Sequence, residues 1–273
     1  MFLGEWWRCK YAEGIMQQAV GEAGAVQAPA PFEHVACDLC GGTDARPWLV
    51  TRDRGYGRFT VVCCQRCGLA FVTPRPTEEV ISSYYAADYY AYTRTDIRGI
   101  AQLKYTVSEF IASNYYGYPR APEEAGRSCG MAFLLRIIAH LYHHKLLRLP
   151  PRMPGGRILD IGCATGLDLD FAKRHGWETY GVEISAQAAA VAQARGHNVF
   201  IGRLVEAAYP DKFFHAVMVW DVLEHLHRPM QVIQEIGRIL RPGGMLIGKA
   251  LNIRSIQAAV FRDKWWPGLD VPR

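Results

Sequence analysis

The second half of the chain alternates short apolar runs with amphipathic runs, and this pattern predicts strands separated by helices. The predicted strands lie at 157–159, 177–184, 197–201, 213–220 and 245–250. Helices are predicted at 167–175 and 229–240, the latter with apolar residues at helical spacing: Val232, Ile233, Ile236, Ile239 and Leu240. Strands joined through helices are typical of a parallel, doubly wound sheet. The sequence therefore predicts an α/β fold of the Rossmann-like kind.

The turn after the first predicted strand has the composition of a ligand-binding loop. It runs from Asp160 to Gly166 and contains two glycines, whose missing side chains let the backbone turn sharply and approach a ligand. The helix predicted from Leu167 would present its N-terminal amides to the same ligand. A dinucleotide fingerprint needs glycine or alanine at the position of Leu167, so the pattern disfavours NAD. We expect the ligand to be lined by Asp160, Gly162, Ala164 and Gly166.

A carboxylate residue, Glu183, ends the second predicted strand 23 positions after Asp160. A residue of this type accepts hydrogen bonds from the 2′- and 3′-hydroxyls of a ribose. The loop lacks the Lys and Ser pair that binds phosphate, which favours an adenosine ligand without a pyrophosphate. S-adenosylmethionine fits this description. The alternative is that Asp160 and Glu183 are solvated carboxylates at strand ends.

Four motifs follow one another in this half of the chain. They are the loop at 160–166, Gly-Val-Glu at 181–183, WDVLEHL at 220–226 and LRPGGML at 240–246. Together they resemble the class I S-adenosylmethionine-dependent methyltransferases over about 155–251. The resemblance implies that the loop binds the methionine end of the cofactor, that Glu183 binds its ribose and that Ile184 packs on its adenine. Two positions depart from the family's pattern: Ala164 replaces a common glycine, and Arg203-Leu204 lacks a carboxylate that often binds the adenine amine.

The segment after the fourth predicted strand carries the candidate chemistry. Carboxyl ends of parallel strands face the ligand crevice, and residues 220–225 follow that strand directly. Methyl transfer is an in-line displacement, in which a base is needed only when the acceptor must lose a proton. We predict that His225 takes this proton, with Glu224 as its orienting partner or an alternative base, while Trp220 and Asp221 contact the cofactor. The alternative is that the Glu-His pair begins a helix and serves structure or cofactor closure.

Eight cysteines are present, and four of them form two CxxC pairs, each followed by glycine. The pairs are Cys37 with Cys40 and Cys64 with Cys67, separated by 23 residues. Two such turns place four thiolates around a tetrahedron, which predicts a structural Zn²⁺ site without an open position for water or substrate. A disulfide or a redox pair is the alternative interpretation. The remaining cysteines are predicted to be packed residues: Cys9, Cys63, Cys129 and Cys163.

The region around these cysteines is close to neutral in charge. Residues 32–90 contain six Arg, no Lys and seven acidic residues. Modules that bind nucleic acid are distinctly basic, so no nucleic-acid partner is expected. The pairing of such a module with a class I core is similar to a subset of class I enzymes with an N-terminal zinc-binding domain, among them deoxysugar C-methyltransferases. The motif FVTPRP at 71–76 and the tyrosine-rich segment 84–90 also match that subset.

Tyrosines after the cysteine module are candidate substrate contacts. Tyrosine offers an apolar face and a hydroxyl to a polyhydroxylated ligand, and a cleft could be lined by Tyr84, Tyr85, Tyr89, Tyr90 and Tyr92. The alternative is an ordinary helix that packs aromatic residues at a domain junction. We therefore expect a small-molecule acceptor, specifically a sugar nucleotide or a related glycan precursor. The alternatives are a noncatalytic adaptor that binds S-adenosylmethionine, and a protein or nucleic-acid methyltransferase.

Composition and patterning divide the chain into four parts. We predict an N-terminal extension at 1–31, a zinc-ribbon module at 32–76, a helical connector with substrate-side residues at 77–150 and the cofactor domain at 151–273. Half of the 273 residues are hydrophobic and the net charge is +5, which is typical of a globular protein. The longest apolar stretch, 131–149, predicts an amphipathic helix whose basic face is either solvated or rests on anionic lipid. We expect no transmembrane segment and a cytoplasmic location.

The end of the chain is short for the resemblance. A class I core implies seven strands, and only 23 residues follow Ala250. We therefore predict that the chain is a truncated version of a longer enzyme. Its fifth strand would then expose an apolar edge through which two chains could pair.

Overall fold

The chain forms two compact units, and each is built from segments that are distant in sequence. The computed structural model describes residues 31–51, 57–84, 100–119 and 149–261. The first unit consists of Met1–Ala87, Glu224–Met230 and Leu251–Arg273. The second unit consists of Asp88–Leu223 and Gln231–Ala250. Two short segments from the second half of the chain therefore belong with the N-terminal unit.

The described elements are numbered in chain order. The strands are β1 (Phe32–Glu33), β2 (Ala45–Val50), β3 (Thr60–Cys64), β4 (Ala70–Val72), β5 (Arg75–Pro76), β6 (Arg157–Ile161), β7 (Glu178–Glu183), β8 (Asn198–Ile201), β9 (Phe214–Trp220) and β10 (Leu240–Lys249). The α-helices are α1 (Ile100–Tyr115), α2 (Leu167–Arg174), α3 (Ala186–Ala194), α4 (Pro229–Ile239) and α5 (Ile256–Phe261). Short 3-10 turns lie at Ile81–Tyr84, Leu204–Glu206 and Leu223–His225.

The described part of the first unit contains two small antiparallel sheets. Strand β1 pairs with β5, while β2, β3 and β4 form a three-stranded sheet with β3 in the centre. Strand β3 is rich in valine, which favours a strand, and four of its five residues are buried. Ala258 of α5 packs against Val61 of this strand. The segment that follows β10 therefore contributes to the same small core.

The second unit is built on five parallel strands in the order β10-β9-β6-β7-β8. This order places β6 between β7 and β9, so the direction in which the sheet grows reverses at β6. In doubly wound sheets, the carboxyl ends of the strands at this switch point border the ligand crevice. The predicted Rossmann-like, parallel α/β fold is confirmed. Among the described strands, β10 and β8 form the two edges.

Successive residues of the central strands fill two apolar cores. Ile158 of β6 belongs to one core, together with Phe171 of α2. Leu159, the next residue, belongs to the other core, together with Ile236 of α4. Since successive side chains of a strand point to opposite faces, a sheet that is buried on both faces needs uninterrupted apolar runs. The run in β6 is of this kind, because Ile158 and Leu159 are both fully buried.

The predicted boundaries of β7, β8 and β9 agree with the structure to within one residue. The start of the fifth strand was predicted wrongly, because β10 begins at Leu240 and not at Met245. Leu240 pairs with Phe214, and the register then shifts before Met245 pairs with Ala216. Gly243 has a φ of +76° in the intervening turn, a conformation that glycine adopts without strain. The predicted helix 229–240 accordingly ends one residue earlier, at Ile239.

Several predicted features lie outside the described residues. These are the helix at 131–149 apart from Leu149, together with Cys9, Cys129, Tyr85, Tyr89, Tyr90 and Tyr92. Tyr84 is described, and it is buried with its ring edge-on to Phe59. Burial raises the pKa of the Tyr84 hydroxyl. Tyr84 therefore packs inside the first unit. Over the described ranges, none of the helices combines the length and apolarity needed to span a membrane.

Leu159 provides a test of the core. Replacing this fully buried side chain in Leu159→Ala should lower the free energy of unfolding by about 2 to 5 kcal/mol, because a cavity remains in the core. Leu246→Ala, at a side chain that is 47% exposed on β10, is the control and should change stability by less than about 0.5 kcal/mol. Urea unfolding measures both values. Equal losses in the two variants would contradict the arrangement of the core.

Candidate functional site

The loop after β6 is attached to β7 through its backbone. The amides of Gly162 and Cys163 both donate to the carbonyl of Val182, at 2.8 and 3.2 Å. Gly162 has a φ of +72°, and a Cβ at this position would lie 2.7 Å from Cγ2 of Val222. From the sequence, a ligand is expected to approach the backbone at Gly162. In the structure, the Val222 side chain occupies the space where a side chain at this position would lie. The glycine is therefore required by packing within the protein.

Gly166 and Ala164 also have roles that differ from simple access for a ligand. Gly166 has a φ of +82° and precedes α2, and a Cβ there would lie 2.9 Å from Cβ of Ala192 in α3. It lets the start of α2 pack closely against α3. Ala164 has a φ of +46°, a left-handed conformation that costs a residue with a Cβ about 1–2 kcal/mol. The replacement of glycine by Ala164 is therefore a source of backbone strain.

Glu183 is the polar centre of this loop. Its side chain is buried, with Oε2 accepting the Ala164 amide at 2.9 Å and Oε1 accepting the Ser185 amide at 2.8 Å. Burial raises the pKa of the Glu183 carboxyl, while these backbone amides partly oppose the rise. Each carboxylate oxygen has a second lone pair, so Glu183 can accept further hydrogen bonds from a ligand. The predicted ribose contact is thus also the residue that fixes the loop.

A second acidic residue, Asp160, is buried at the end of β6. Burial, followed by the nearby carboxyl groups of Asp160 and Glu183, raises the pKa of the Cys163 thiol. Cys163 is itself buried, as predicted for a packed cysteine. The loop therefore lies in an acidic environment of low polarity. A ligand with positive charge is favoured in such surroundings over one with phosphates.

Exposed apolar side chains lie beyond the ends of β7 and β8. Ile184 is 63% exposed directly after Glu183, and Val205 is 39% exposed in the turn after β8. The sequence contains no carboxylate at Arg203-Leu204, but Glu206 reaches back and accepts the Arg203 amide at 2.8 Å. An acidic side chain is therefore present at this strand end. The sequence signal for this contact is a capping box, in which an acidic residue, Glu206, follows three positions after Arg203. Sequence reasoning missed it.

The residues at the end of β9 belong to two different units. Trp220 is partly buried and packs on the core that contains Ile158. Asp221 has a φ of +53°. Its amide donates a hydrogen bond to the Lys249 carbonyl at 3.0 Å, and its carboxylate accepts a hydrogen bond from Nζ of Lys249 at 2.8 Å. Its carboxylate is thus paired with a lysine, which was not predicted. Glu224 and His225 lie in the first unit, in the turn Leu223–His225.

The imidazole of His225 has one buried nitrogen atom with open hydrogen-bonding capacity. Within the described ranges, Nδ1 is shielded from solvent and has no hydrogen-bond partner. A buried polar atom without a partner costs free energy, so such atoms often mark places where a ligand or a proton is bound. This observation agrees with the predicted role of His225 and leaves that role a prediction.

The four predicted cysteine ligands come together in the first unit. The Sγ atoms of Cys37, Cys40, Cys64 and Cys67 all lie within 4.8 Å of one another. Two pairs are closer, with Cys37 and Cys67 at 3.4 Å and Cys40 and Cys64 at 3.6 Å. Tetrahedral Zn²⁺ with bonds of about 2.3 Å brings sulfur atoms to separations of this size. Cys63 is buried next to them in β3 and does not belong to the cluster, but it is disulfide-bonded, which the sequence analysis did not predict.

Backbone amides point at the sulfur atoms of this cluster. The amide of Cys67, assisted by that of Arg66, lowers the pKa of the Cys64 thiol to about 6. The amides of Cys40 and Leu39 act in the same direction on Cys37, where burial is the larger effect and raises the pKa to about 12. Amides in this orientation stabilise thiolates, the form in which cysteine binds metal. The cluster therefore has the donor atoms and the geometry of a closed four-thiolate site.

Comparison with known proteins identifies the family. Residues 134–272, just over half of the chain, match the family described as a methyltransferase domain. The chain belongs to this methyltransferase-domain family. A probable S-adenosylmethionine-dependent methyltransferase of Mycolicibacterium smegmatis is 31% identical over 127 residues, which are 46% of each chain. The ubiquinone biosynthesis O-methyltransferase of Alkalilimnicola ehrlichii is 30% identical over 37% of this chain and 43% of its own length.

The chain is also similar to an uncharacterised protein and to solved structures. An uncharacterised protein of Methanocaldococcus jannaschii is 31% identical over 45% of this chain and 58% of its own length. The chain thus spans about half of the length of the curated relatives it matches. Among solved structures, the S-adenosylmethionine-dependent methyltransferase of Mesorhizobium loti is 24% identical, with a TM-score of 0.34 over 37% of this chain and 49% of that chain.

A buried polar network behind the loop of the methyltransferase domain was missed by sequence reasoning. His197 is buried, with Nδ1 2.9 Å from Oγ1 of Thr179 and Nε2 3.1 Å from Oδ1 of Asp170. Asp170 also pairs with Arg195. Burial lowers the pKa of His197, although Asp170 opposes this effect. Because Asp170 lies in the first turn of α2, the network fixes the start of this helix. No local motif in the sequence indicates the network.

The packing of Gly162 against Val222 can be tested with a double-mutant cycle. Gly162→Ala should destabilise the methyltransferase domain, through the left-handed φ and through the close approach to Val222. Adding Val222→Ala should relieve only the steric part and give a coupling free energy of about 0.5–3 kcal/mol in urea unfolding. Gly237→Ala, a helical position with open space around it, is the control and should stabilise the protein by about 0.5–1 kcal/mol. Additive effects of the first two changes would contradict the packing role.

Proposed function

We propose that the chain is an S-adenosylmethionine-dependent methyltransferase that acts on a small molecule. The main support is the buried carboxylate of Glu183, which lies at the end of β7 and fixes the loop after β6 in a domain of the methyltransferase family. The names of the relatives from Mycolicibacterium smegmatis and Alkalilimnicola ehrlichii agree with this activity. A dinucleotide is disfavoured both by Leu167 and by the acidic surroundings of the loop.

The described residues fit the proposed cofactor. Glu183 would accept the ribose hydroxyls with the lone pairs that the loop amides leave unused. The exposed side chains of Ile184 and Val205 would cover an adenine ring, with Glu206 near its polar edge. The buried acidic residue Asp160 would favour the positively charged methionine end. S-adenosylmethionine supplies a methyl group on a sulfonium, so the protein has to position and shield the reactants.

His225 is the proposed proton acceptor when the acceptor molecule must lose a proton. Its Nδ1 atom is buried and has no partner within the described ranges, so it can take a proton from a bound ligand. Glu224 precedes it in the same turn and is proposed to orient the imidazole or to act as an alternative base. Trp220 and Asp221 are proposed to contact the cofactor from the end of β9. The ion pair of Asp221 with Lys249 would then hold that carboxylate in one orientation.

The proposed acceptor is a sugar nucleotide or a related glycan precursor. Support comes from the combination of a four-cysteine module with a class I domain, which is similar to the arrangement in deoxysugar C-methyltransferases. The near-neutral charge of residues 32–90 disfavours nucleic acid as the acceptor. The buried position of Tyr84 removes it from the set of candidate sugar contacts.

We also propose that the four-cysteine cluster binds a structural Zn²⁺ ion. Four sulfur atoms within 4.8 Å of one another would repel as thiolates, and a divalent cation offsets this repulsion. With four sulfur ligands no coordination position remains for water or substrate, so the ion would supply folding energy and no chemistry. The four free thiols of the cluster favour a reducing compartment and so agree with the proposed cytoplasmic location, whereas the disulfide at Cys63 does not.

Glu183→Gln should weaken the binding of S-adenosylmethionine by about 1.5–3 kcal/mol, because a charge-assisted acceptor of the ribose hydroxyls is lost. The variant keeps the size of the side chain, so calorimetry can be interpreted together with a thermal unfolding curve. Glu178→Gln, at the exposed start of the same strand, is the matched control and should bind like the wild type. Equal affinities for wild type and Glu183→Gln would remove Glu183 from the cofactor site.

Cofactor binding should also depend on pH through Glu183. Burial raises the pKa of this carboxyl, so its protonation sets in at a higher pH than for an ordinary glutamate. The ionised form accepts hydrogen bonds, and affinity should therefore fall as the pH is lowered, beginning at a higher pH than the pKa of an ordinary glutamate would give. The stability of the cofactor-free protein should change in the opposite sense, because a raised pKa contributes stability that is lost as the pH rises through it. In Glu183→Gln the pH dependence of affinity should be reduced, and an unchanged profile would count against this assignment.

Metal content tests the zinc proposal. Protein purified without chelator should contain about one zinc per chain, and Cys40→Ser should lose it, since three thiolates bind far more weakly than four. Limited proteolysis should then cut the first unit and spare the parallel sheet. Cys63→Ser should retain the metal even though it removes a disulfide, because Cys63 lies outside the cluster. Elemental analysis without zinc in the wild type would refute the proposal.

A further inference from the structure

The segment Glu224–Met230 is attached to the cysteine module by hydrogen bonds within the first unit. Three contacts hold it: Nη1 of Arg75 donates to the His227 carbonyl at 3.0 Å, Nε2 of His227 donates to the Pro76 carbonyl at 2.9 Å, and the Met230 amide donates to Oδ2 of Asp38 at 2.8 Å. All of these residues belong to the same compact unit. The segment that contains His225 is therefore held by the module and not only by its neighbours in sequence.

Arg75 is suited to this contact because its guanidinium group binds two partners at once. Its Nε donates to Oε1 of Glu33 at 2.8 Å, and Glu33 is also its cross-strand neighbour in the pairing of β1 with β5. The planar guanidinium has donors in fixed directions, so the bond to Glu33 orients the arm that reaches His227. A lysine would keep the charge but could not reproduce both directions. The geometry at Arg75 thus specifies arginine.

Asp38 connects the same segment to the first metal-binding turn. It lies between Cys37 and Cys40, in a turn closed by hydrogen bonds from the Gly41 amide to the Cys37 carbonyl and from the Cys37 amide to the Gly42 carbonyl. The aspartate accepts the Met230 amide at the start of α4, a position where carboxylates stabilise a helix. The conformation of this turn, which the metal would fix, therefore determines where the helix begins.

A second segment is attached to the module on its other metal-binding turn. A Cβ at Gly68, the residue after Cys67, would collide with the guanidinium group of Arg254. Ala258 packs against Val61 in the three-stranded sheet. Residues 251–261 thus belong to the first unit, as do residues 224–230. These two segments directly follow Leu223, after β9, and Ala250, after β10.

We propose that the cysteine module is a positioning device for the segments that leave β9 and β10, and that Arg75 is the positioning residue for the turn that contains His225. The turn held in this way contains His225, the residue proposed to take a proton from the acceptor. The metal would then affect the reaction only by holding these segments in place, without contacting the reactants. The effect of Arg75 on catalysis rests on the proposed role of His225. The attachment of residues 224–230 to the module does not depend on that role.

Hydrogen exchange on the zinc-loaded full chain tests this proposal. In Arg75→Gln, the amides of residues 224–230, apart from Pro229, should exchange about tenfold faster or more, as expected for the loss of a charge-assisted hydrogen bond. Zinc content should remain unchanged, and calorimetry should give an affinity for S-adenosylmethionine within about twofold of the wild type. Arg75→Lys should behave like Arg75→Gln, since the fork and not the charge makes the contact. Arg46→Gln, at an exposed arginine of β2, is the matched control and should change none of these values.

His227→Ala keeps the test decisive if Arg75→Gln disturbs the module itself. This variant removes the donor to Pro76 from the segment side and should also raise exchange at residues 224–230 while zinc is retained. The imidazole NMR signal of His225, assigned through its loss in His225→Gln, should move in Arg75→Gln and His227→Ala and stay in place in Arg46→Gln. A merely structural arginine elsewhere in the module would not move this signal.

The outcomes separate the two proposals. Unchanged exchange at residues 224–230 in both Arg75→Gln and His227→Ala would overturn the positioning role, even if the chain binds S-adenosylmethionine. Faster exchange in His227→Ala with zinc retained would support it, even if Arg75→Gln loses its zinc. Faster exchange in a chain that binds no S-adenosylmethionine would support the attachment and refute the proposed function.

Discussion

The two hydrogen bonds accepted by the Glu183 carboxylate set the conformation of the candidate cofactor site. They join the loop after β6, through Ala164, to the start of the turn after β7, through Ser185. Both strands belong to the centre of the parallel sheet, so their ends are fixed by the packed cores on its two faces. Because the strand ends are rigid, the hydrogen bonds of the carboxylate hold the loop in one conformation. A ligand that binds Glu183 meets a group that is already oriented, which lowers the entropic cost of binding.

The same arrangement places acidic groups in a buried environment. Glu183 and Asp160 are each about 4% exposed or less, and after burial they are the next causes of the raised pKa of the Cys163 thiol. Burying a carboxylate costs free energy, which the backbone amides at Glu183 offset only in part, since the pKa of that residue is raised. The environment therefore favours a ligand that brings hydrogen-bond donors and positive charge. S-adenosylmethionine has both, in its ribose hydroxyls and in its ammonium and sulfonium groups.

Hydrophobic periodicity was sufficient to predict the parallel sheet, because β6 and β9 are mostly buried and mostly apolar and the second half of β7 is buried as well. It failed at Leu240, where the pairing of that residue with Phe214 extends the strand before the turn at Gly243. The cysteine spacing also predicted the cluster, since two tight turns leave little freedom for four sulfur atoms. The attachment of residues 224–230 could not be predicted, because its hydrogen bonds join residues 151 to 192 positions apart and none belongs to a motif.

The glycines of the loop show that one motif can have more than one physical cause. Sequence reasoning assigned Gly162 and Gly166 to ligand access, whereas the structure places Val222 and Ala192 in the space that their side chains would occupy. A fold can therefore require these glycines before any ligand binds. The motif still marks the site, because close packing at the ends of the central strands is what leaves the loop amides and Glu183 in fixed positions.

Two residues at the carboxyl end of the sheet adopt left-handed conformations without being glycine, namely Ala164 and Asp221. Each such residue costs about 1–2 kcal/mol, so the strain must be offset locally. For Ala164 the offset is its charge-assisted hydrogen bond to Glu183, worth about 1.5–3 kcal/mol. For Asp221 it is the amide bond to the Lys249 carbonyl together with the ion pair to the same residue. Strain and compensation therefore occur at the same residues, and both lie where the strands β6 and β9 end beside the crevice.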